Sequence, residues 1–294
     1  MKKILITGAT GFIGKNLLDY FLKKKYFILA ILRKSKKNIK FSKKHKINKN
    51  FKSIIFSNSE NLKKKLSNYK IDYVIHAATY YVKKHKSSDI KKIIESNILL
   101  PTMTVDIFCN KKIKKIINFE TVWQHYNNKK DYAYNLYASS KQAFNKIYNY
   151  YKNQFPKTKF YNLLISDTFG KNDKRKKLIP IIIKNYNKNN TVNIPKNLSI
   201  NLINVEYITK IVDNIINKNI KPDTYVIKDK KNLKMFDLIN YLNQKIKKKI
   251  KINWTKNKAA NEKIINFKTI NFKKNDDTKR EILNLFNENI KYEN

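Results

Sequence analysis

The chain has 294 residues, 41% of them hydrophobic, enough for a packed core in one large domain or two small ones. A single cysteine, Cys109, excludes an intrachain disulfide, and no apolar run approaches the ~18 residues of a membrane span. The formal charge of +44 is carried by lysines spread over the whole length; Arg33, Arg175 and Arg280 are the only arginines, so it reads as solvated faces and sets aside specific nucleic-acid recognition, which favours the arginine fork.

The first predicted element is an apolar strand, Lys3–Thr7. It runs straight into Gly8, Gly11 and Gly14, three of only four glycines in the chain. A helix with apolar periodicity (Leu17, Leu18, Phe21, Leu22) follows over about Phe12–Lys24. Strand, spaced glycines and helix together form the dinucleotide fingerprint, in which backbone approaches a pyrophosphate at a helix N-terminus. Because this pattern begins at once, no signal peptide is expected, and the protein is expected to be cytoplasmic.

Further strands are predicted at Phe27–Leu32, Ser53–Phe56, Tyr73–His76, Lys115–Phe119 and Phe160–Ile165. Helices are predicted between them at Asn61–Tyr69, Asp89–Cys109 and Tyr132–Asn153. The lysine-rich stretch Lys34–Lys52 reads as a loop with a poorly defined fragment of structure. The alternation predicts an α/β chain with a doubly wound parallel (Rossmann) sheet. After Gly170 the elements shorten: helices at Leu178–Asn187, Val205–Asn217, Met235–Lys245 and Asp276–Asn287, strands at Tyr225–Ile227 and Lys251–Trp254. The expected division is a dinucleotide-binding domain over 1–170, with a return near 198–218, and a smaller C-terminal substrate-binding lobe over 171–294. No Pro/Gly/Ser-rich linker separates them, so they are expected to pack closely.

Tyr137 and Lys141 stand four residues apart at the start of the long helix after the fifth strand, with the small residues Ala138, Ser139 and Ser140 between them. On a helix they share a face, where an ammonium lowers a phenol's pKa and fits it for proton exchange. Other pairs, such as Tyr20/Lys24 and Tyr148/Lys152, have the same spacing, and only position singles out Tyr137. NAD-specific sites place an acid after the second strand. Here that strand ends Ile31-Leu32-Arg33-Lys34-Ser35, where Arg33 and Ser35 suit a 2′-phosphate, so NADP is the expected cofactor, with NAD possible. Four scattered histidines and one cysteine give no metal-ligand spacing.

Thr7-Gly8-Ala9-Thr10-Gly11-Phe12-Ile13-Gly14, His76-Ala77-Ala78, Asn97 and Tyr137-Ala138-Ser139-Ser140-Lys141 together resemble the extended short-chain dehydrogenase/reductase (NAD-dependent epimerase/dehydratase) family over roughly residues 1–215. The resemblance implies that Gly8, Thr10, Gly11, Phe12, Ile13, Gly14, His76, Ala77, Ala78 and Asn97 hold the dinucleotide. It implies Tyr137 as acid/base, Lys141 on the nicotinamide ribose, and a strand-end hydroxyl on the substrate oxygen. The stretch Asn118-Phe119-Glu120-Thr121-Val122-Trp123-Gln124 gives that last role to Thr121 and is similar to the abequose-synthase-like subgroup of nucleotide-sugar reductases; strict alignment on Val122-Trp123 would put Phe119 there. Thr168-Phe169-Gly170-Lys171-Asn172-Asp173 resembles the turn that closes over the nicotinamide. Thr79, Trp123, Asp167, Thr168, Arg175 and Lys177 are the residues expected to meet the substrate, a nucleotide sugar. Thr121 lacks the following Asp-Glu pair of the family's dehydratases. The expected function is reduction of a 4-keto sugar in surface polysaccharide biosynthesis, by a homodimer formed through Asp89–Cys109 and Tyr132–Asn153. A 4-epimerase on the same scaffold and a non-catalytic NAD(P)-binding regulator are the alternatives.

Overall fold

In the computed structural model, which describes residues 1–57, 59–256, 263, 267–270 and 277–290, the apolar runs of the first half become β1 (Lys3–Thr7), β2 (Phe27–Arg33), β3 (Phe51–Phe56), β4 (Tyr73–His76), β5 (Lys115–Thr121) and β6 (Lys159–Ile165). The later strands are β7 (Asp167–Phe169), β8 (Val192–Pro195), β9 (Ser199–Ile200), β10 (Leu202–Asn204), β11 (Thr224–Ile227), β12 (Leu233–Lys234) and β13 (Ile252–Thr255). One parallel sheet runs in the order β3-β2-β1-β4-β5-β6-β11, the α/β doubly wound arrangement expected from the sequence. Runs such as Ile4–Ile6 and Ile28–Leu32 have no polar alternation because both faces of these strands are covered.

The helices are α1 (Phe12–Lys23), α2 (Lys36–His45), α3 (Ser59–Leu66), α4 (Ser87–Ile94), α5 (Leu100–Cys109), α6 (Leu136–Gln154), α7 (Leu178–Asn187), α8 (Val205–Asn217), α9 (Met235–Asn243) and α10 (Thr278–Ile290). On one sheet face α1 (Leu17, Leu18, Phe21) packs with α8 (Ile208, Ile211, Val212, Ile215). Burying those four α8 side chains contributes roughly 6–12 kcal/mol before conformational entropy is subtracted. The other face is covered by α3, α5 and α6 through Leu62, Leu66, Val105, Phe108, Phe144 and Tyr148. A third core, with Ile179, Ile182, Leu238, Leu242, Ile282 and Phe286, joins α7, α9 and α10.

Two local expectations need correction. The fragment expected within Lys34–Lys52 is a defined helix, α2: Ser35 caps it by accepting from the Asn38 N–H at 3.2 Å, and Phe41 packs against Phe51 with ring centroids 6.3 Å apart. One aromatic contact and a cap outweigh the lysine content, because the lysines point to solvent. The single helix expected at Asp89–Cys109 is α4 and α5 joined by a π-helical turn, Glu95–Leu99. That inserted turn buries Asn97 completely. Within the expected closing helix, Asp276 lies outside the described residues.

Candidate active site

The site starts at the turn between β1 and α1. Gly8 has φ +71°, in the left-handed region, and a Cβ there would lie 2.6 Å from the Ala78 N and Cα atoms. Only glycine lets the end of β1 lie against Ala77-Ala78. The Gly11 N–H donates to the Gly8 carbonyl at 2.9 Å and α1 begins with no side-chain cap. The uncapped first turn opens into a cleft of about 1110 Å³ lined by Gly8, Thr10, Gly11, Phe12 and Ile13. Donor N–H groups at the positive end of a helix dipole suit a pyrophosphate. Gly14 does not line the cleft; its Cβ would fall 2.1 Å from the Gly8 carbonyl oxygen, so it closes the turn.

At one end the cleft is bounded by Leu32, Arg33, Lys37, Asn38, Phe41 and Phe56. Arg33 reaches the Ser96 hydroxyl at 3.3 Å. The Ser35 hydroxyl caps α2 and does not line the cleft. Among the described lining residues only Asp19 and Asp167 carry carboxylates, and Asp19 pairs with Lys15 at 2.5 Å. Lys15, Lys37, Lys171, Lys174 and Lys176 also line the cleft and make it strongly basic.

At the other end Ala77, Ala78, Thr79, Thr121, Trp123 and Tyr137 come together. Tyr137 stands in the first turn of α6, which Asn135 caps by accepting from the Ala138 N–H at 3.0 Å. Thr121 ends β5, and its hydroxyl accepts from the Trp123 N–H at 3.3 Å. Asn97 does not line the cleft. Its carbonyl accepts from the Thr79 hydroxyl at 3.0 Å and the Tyr80 N–H at 2.8 Å, and its amide donates to Ser140 at 2.9 Å and the Tyr80 carbonyl at 3.1 Å. The Ser140 hydroxyl donates to the Tyr137 carbonyl at 2.7 Å. Asn97 therefore ties the Thr79 loop to the turn that carries Tyr137.

Lys141 and His76 lie behind the cleft floor, 2% and 1% exposed. The Thr7 hydroxyl accepts from the Ala78 N–H at 3.2 Å and shares a hydrogen bond with His76 Nδ1 at 2.8 Å. Burial holds His76 well below its ordinary pKa, with the Lys141 charge adding to the effect. Burial likewise lowers Lys141 to about 8, and Glu120 opposes this. The Lys141 ammonium donates to the Phe119 carbonyl at 2.9 Å. For Tyr137, burial raises the pKa, hydrogen bonding with Thr79 opposes the rise, and Tyr81, Glu120 and Asp167 add to it. The lowering of the phenol by Lys141 expected from their spacing is thus not what the structure shows, because the ammonium is turned towards β5.

The outer wall is aromatic. Tyr81 meets Tyr137 edge-on at 5.0 Å and Trp123 at 6.0 Å, and Trp123 meets Tyr134 at 5.1 Å. The Lys177 ammonium sits 5.0 Å from the Tyr81 ring and 5.3 Å from Trp123, and pairs with Asp167 at 2.7 Å. Arg175 lies 4.0 Å over Phe12, donates to both oxygens of Asp173 at 2.8 and 2.7 Å, and reaches the Thr168 carbonyl at 2.7 Å and hydroxyl at 2.9 Å. It clamps the β7–α7 loop onto the start of α1. Sequence reasoning missed Tyr81 and Ser166, which line the cleft, and buried Glu120. The aromatic pair Tyr80-Tyr81, just after His76-Ala77-Ala78-Thr79, was the available signal for Tyr81.

The model of the NAD dependent epimerase/dehydratase family matches residues 4–227, and the chain belongs to that family. The CDP-abequose synthase of Salmonella muenchen is 30% identical over 192 residues, 65% of this chain and 61% of that protein. The match therefore spans about three-fifths of that relative's length. The UDP-N-acetylglucosamine 4-epimerase of Methanobrevibacter ruminantium M1, solved with UDP-N-acetylmuramic acid, superposes with a TM-score of 0.82 at 17% identity over 99% of each chain. The UDP-glucuronic acid 4-epimerase of Bacillus cereus, solved with UDP-glucuronic acid and NAD, gives 0.78 at 17% identity over 98% of this chain and 99% of that one. At such identities the likeness is one of fold.

Proposed function

We propose that the chain is an NADP-dependent reductase of a nucleotide-activated 4-keto sugar, working in the cytoplasm in surface polysaccharide biosynthesis. The observation that carries this reading is the meeting, in one basic cleft, of an uncapped helix N-terminus with the Tyr137 phenol and the Thr121 hydroxyl. Gly8, Thr10, Gly11, Phe12 and Ile13 would hold the dinucleotide phosphates, and Arg33 would take the 2′-phosphate; of the two carboxylates among the described lining residues, Asp19 is paired with Lys15 and Asp167 with Lys177. The nicotinamide ring, when bound, supplies the hydride.

The chain's own residues manage the proton. Burial keeps Tyr137 protonated at neutral pH, so it starts as an acid, and reduction of a ketone needs an acid at the developing alkoxide. Thr121 would hydrogen-bond the same oxygen and stabilise its charge. The carboxylate at this end of the cleft, Asp167, is held by Lys177, which leaves it poorly suited to the proton abstraction of a dehydratase. Trp123 and Tyr81 offer ring faces to a sugar, with Thr79, Thr168, Arg175 and Lys177 around them. Ile90, Ile94 and Leu99 near α4 and Tyr150 on α6 are exposed apolar groups on adjoining helices, which supports a homodimer through that face.

The test is stoichiometry. The name of the Salmonella relative makes a CDP-activated 4-keto sugar the first substrate to try. Mixed with NADPH and the protein, it should consume one equivalent of NADPH per sugar reduced. Interconversion of 4-epimers without net NADPH oxidation would identify an epimerase instead.

A further inference from the structure

Between the sheet and α6 lies a buried polar cluster that the proposed reaction leaves without a task. Glu120 is 2% exposed and directly precedes Thr121. Three amides converge on its carboxylate: Asn145 donates to Oε1 at 2.6 Å, Asn118 to Oε1 at 3.2 Å and Gln124 to Oε2 at 3.4 Å. Asn118 also donates to the Asn162 carbonyl at 3.1 Å, which fixes its amide. Gln124 faces two ways, because its Oε1 accepts from the Thr121 N–H at 3.0 Å. Asn145 stands one helical turn beyond Lys141 on the same side of α6.

A buried carboxylate costs stability unless it has donors and a counter-charge, and an apolar side chain would fill the same space more favourably. Here the donors are supplied, and the opposite charge is that of Lys141, held at the carbonyl of the neighbouring Phe119 one helical turn before Asn145. Burial pushes Glu120 up to about 7, and the lysine charge opposes it; the same carboxylate opposes the fall of Lys141. The other titratable groups bearing on the pair are Tyr137 and Tyr148 on α6 and His76 on β4. From β6 the neighbour is the uncharged Asn162.

We propose that Glu120 is a positioning residue for the reaction, the internal counter-ion of Lys141 and, through Gln124, the brace for the turn that presents the Thr121 hydroxyl. It touches neither substrate nor cofactor. The inference rests on the proposed reductase reading for its meaning, but the electrostatic coupling of Glu120 and Lys141 is measurable without turnover.

Protein labelled with carbon-13 in the glutamate carboxyls is titrated by NMR, and the Glu120 resonance is the one missing from Glu120→Gln. It should titrate near neutral pH, and in Lys141→Met its midpoint should move up by about one pH unit. In parallel, the kcat/KM profile of Glu120→Gln with NADPH and the keto sugar should have its alkaline limb moved down by about one unit, since the ammonium loses its proton earlier. Its KM for NADPH should stay within about twofold, and Glu120→Asp should restore part of the profile. A Glu120 resonance in the ordinary carboxylate range and indifferent to Lys141→Met overturns the proposal. So does a Glu120→Gln profile that superimposes on wild type after scaling for folded protein. If wild-type protein reduces no keto sugar, the reductase reading fails while the NMR titration still decides the pairing.

Discussion

Tyr137 could be picked out by position, yet its chemistry could not be read from spacing. The groups that set its state are Thr79 and Tyr81 from one loop, Glu120 from β5 and Asp167 from β7, all distant in sequence. The i, i+4 relation to Lys141 is real, but the ammonium serves the Phe119 carbonyl. Glu120 carries a pH signature. Its folded pKa, about 7, lies above the ordinary value of 4.5, so it favours the native state fully below pH 4.5, and that contribution is lost as pH rises through about 7. Lys141 has the opposite sign, with a cost at neutral pH that is relieved as pH rises beyond about 8. Urea unfolding at stepped pH should therefore show wild type losing about 2–3 kcal/mol relative to Glu120→Gln between pH ~4.5 and ~7.5. A constant difference across that interval would contradict the assignment. Arg175, expected from the sequence to meet the substrate, has its guanidinium bound to Asp173 and Thr168 and laid over Phe12, partners that no local pattern announces.

At the scale of elements the sequence was most informative where one interaction dominated. Apolar runs became parallel strands, and the glycine turn became the start of α1. It was least informative where small effects compete. A lysine-rich segment folded into α2 on one cap and one aromatic contact, and the π-helical turn at Glu95–Leu99 has no marker in composition. The glycine turn gives a prediction with an internal control. Gly14→Ala drives a methyl to 2.1 Å from the Gly8 carbonyl and should unfold the N-terminal turn, lowering stability by about 2–4 kcal/mol. Gly11→Ala meets only that carbonyl at 3.2 Å, so it should fold with about 1 kcal/mol of loss or less. Its added methyl stands at the mouth of α1, and NADPH affinity should fall about tenfold or more. Equal stability losses in calorimetry would show that the two glycines do not divide the work in this way.

For the whole molecule, charge was the most conspicuous feature of the sequence and the least specific. Exposed lysines are spread along the whole described chain, and the cleft gathers several of them beside two carboxylates. Binding to nucleic acid should be salt-sensitive and without sequence preference. Among the described residues no helix is long and apolar enough to cross a membrane, and no group of His, Cys, Asp and Glu is arranged for a metal. The exposed Ile90, Ile94, Leu99 and Tyr150 near α4 and α6 make association a testable property. Light scattering should give twice the chain mass, and Ile94→Asp should return a monomer that still binds NADPH. A monomer for wild type at micromolar concentration would remove the dimer from the account.

The cleft as a place where reduction occurs is tested most directly by isotope transfer. NADPH carrying deuterium at the transferable nicotinamide position is incubated with the protein and the 4-keto sugar nucleotide, and the product is read by mass spectrometry. The deuterium should appear on the former carbonyl carbon, and Tyr137→Phe should slow its appearance about 10²–10⁴-fold while NADPH still binds. Label that stays on the nucleotide, or a Tyr137→Phe protein that transfers it at the wild-type rate, would contradict the account.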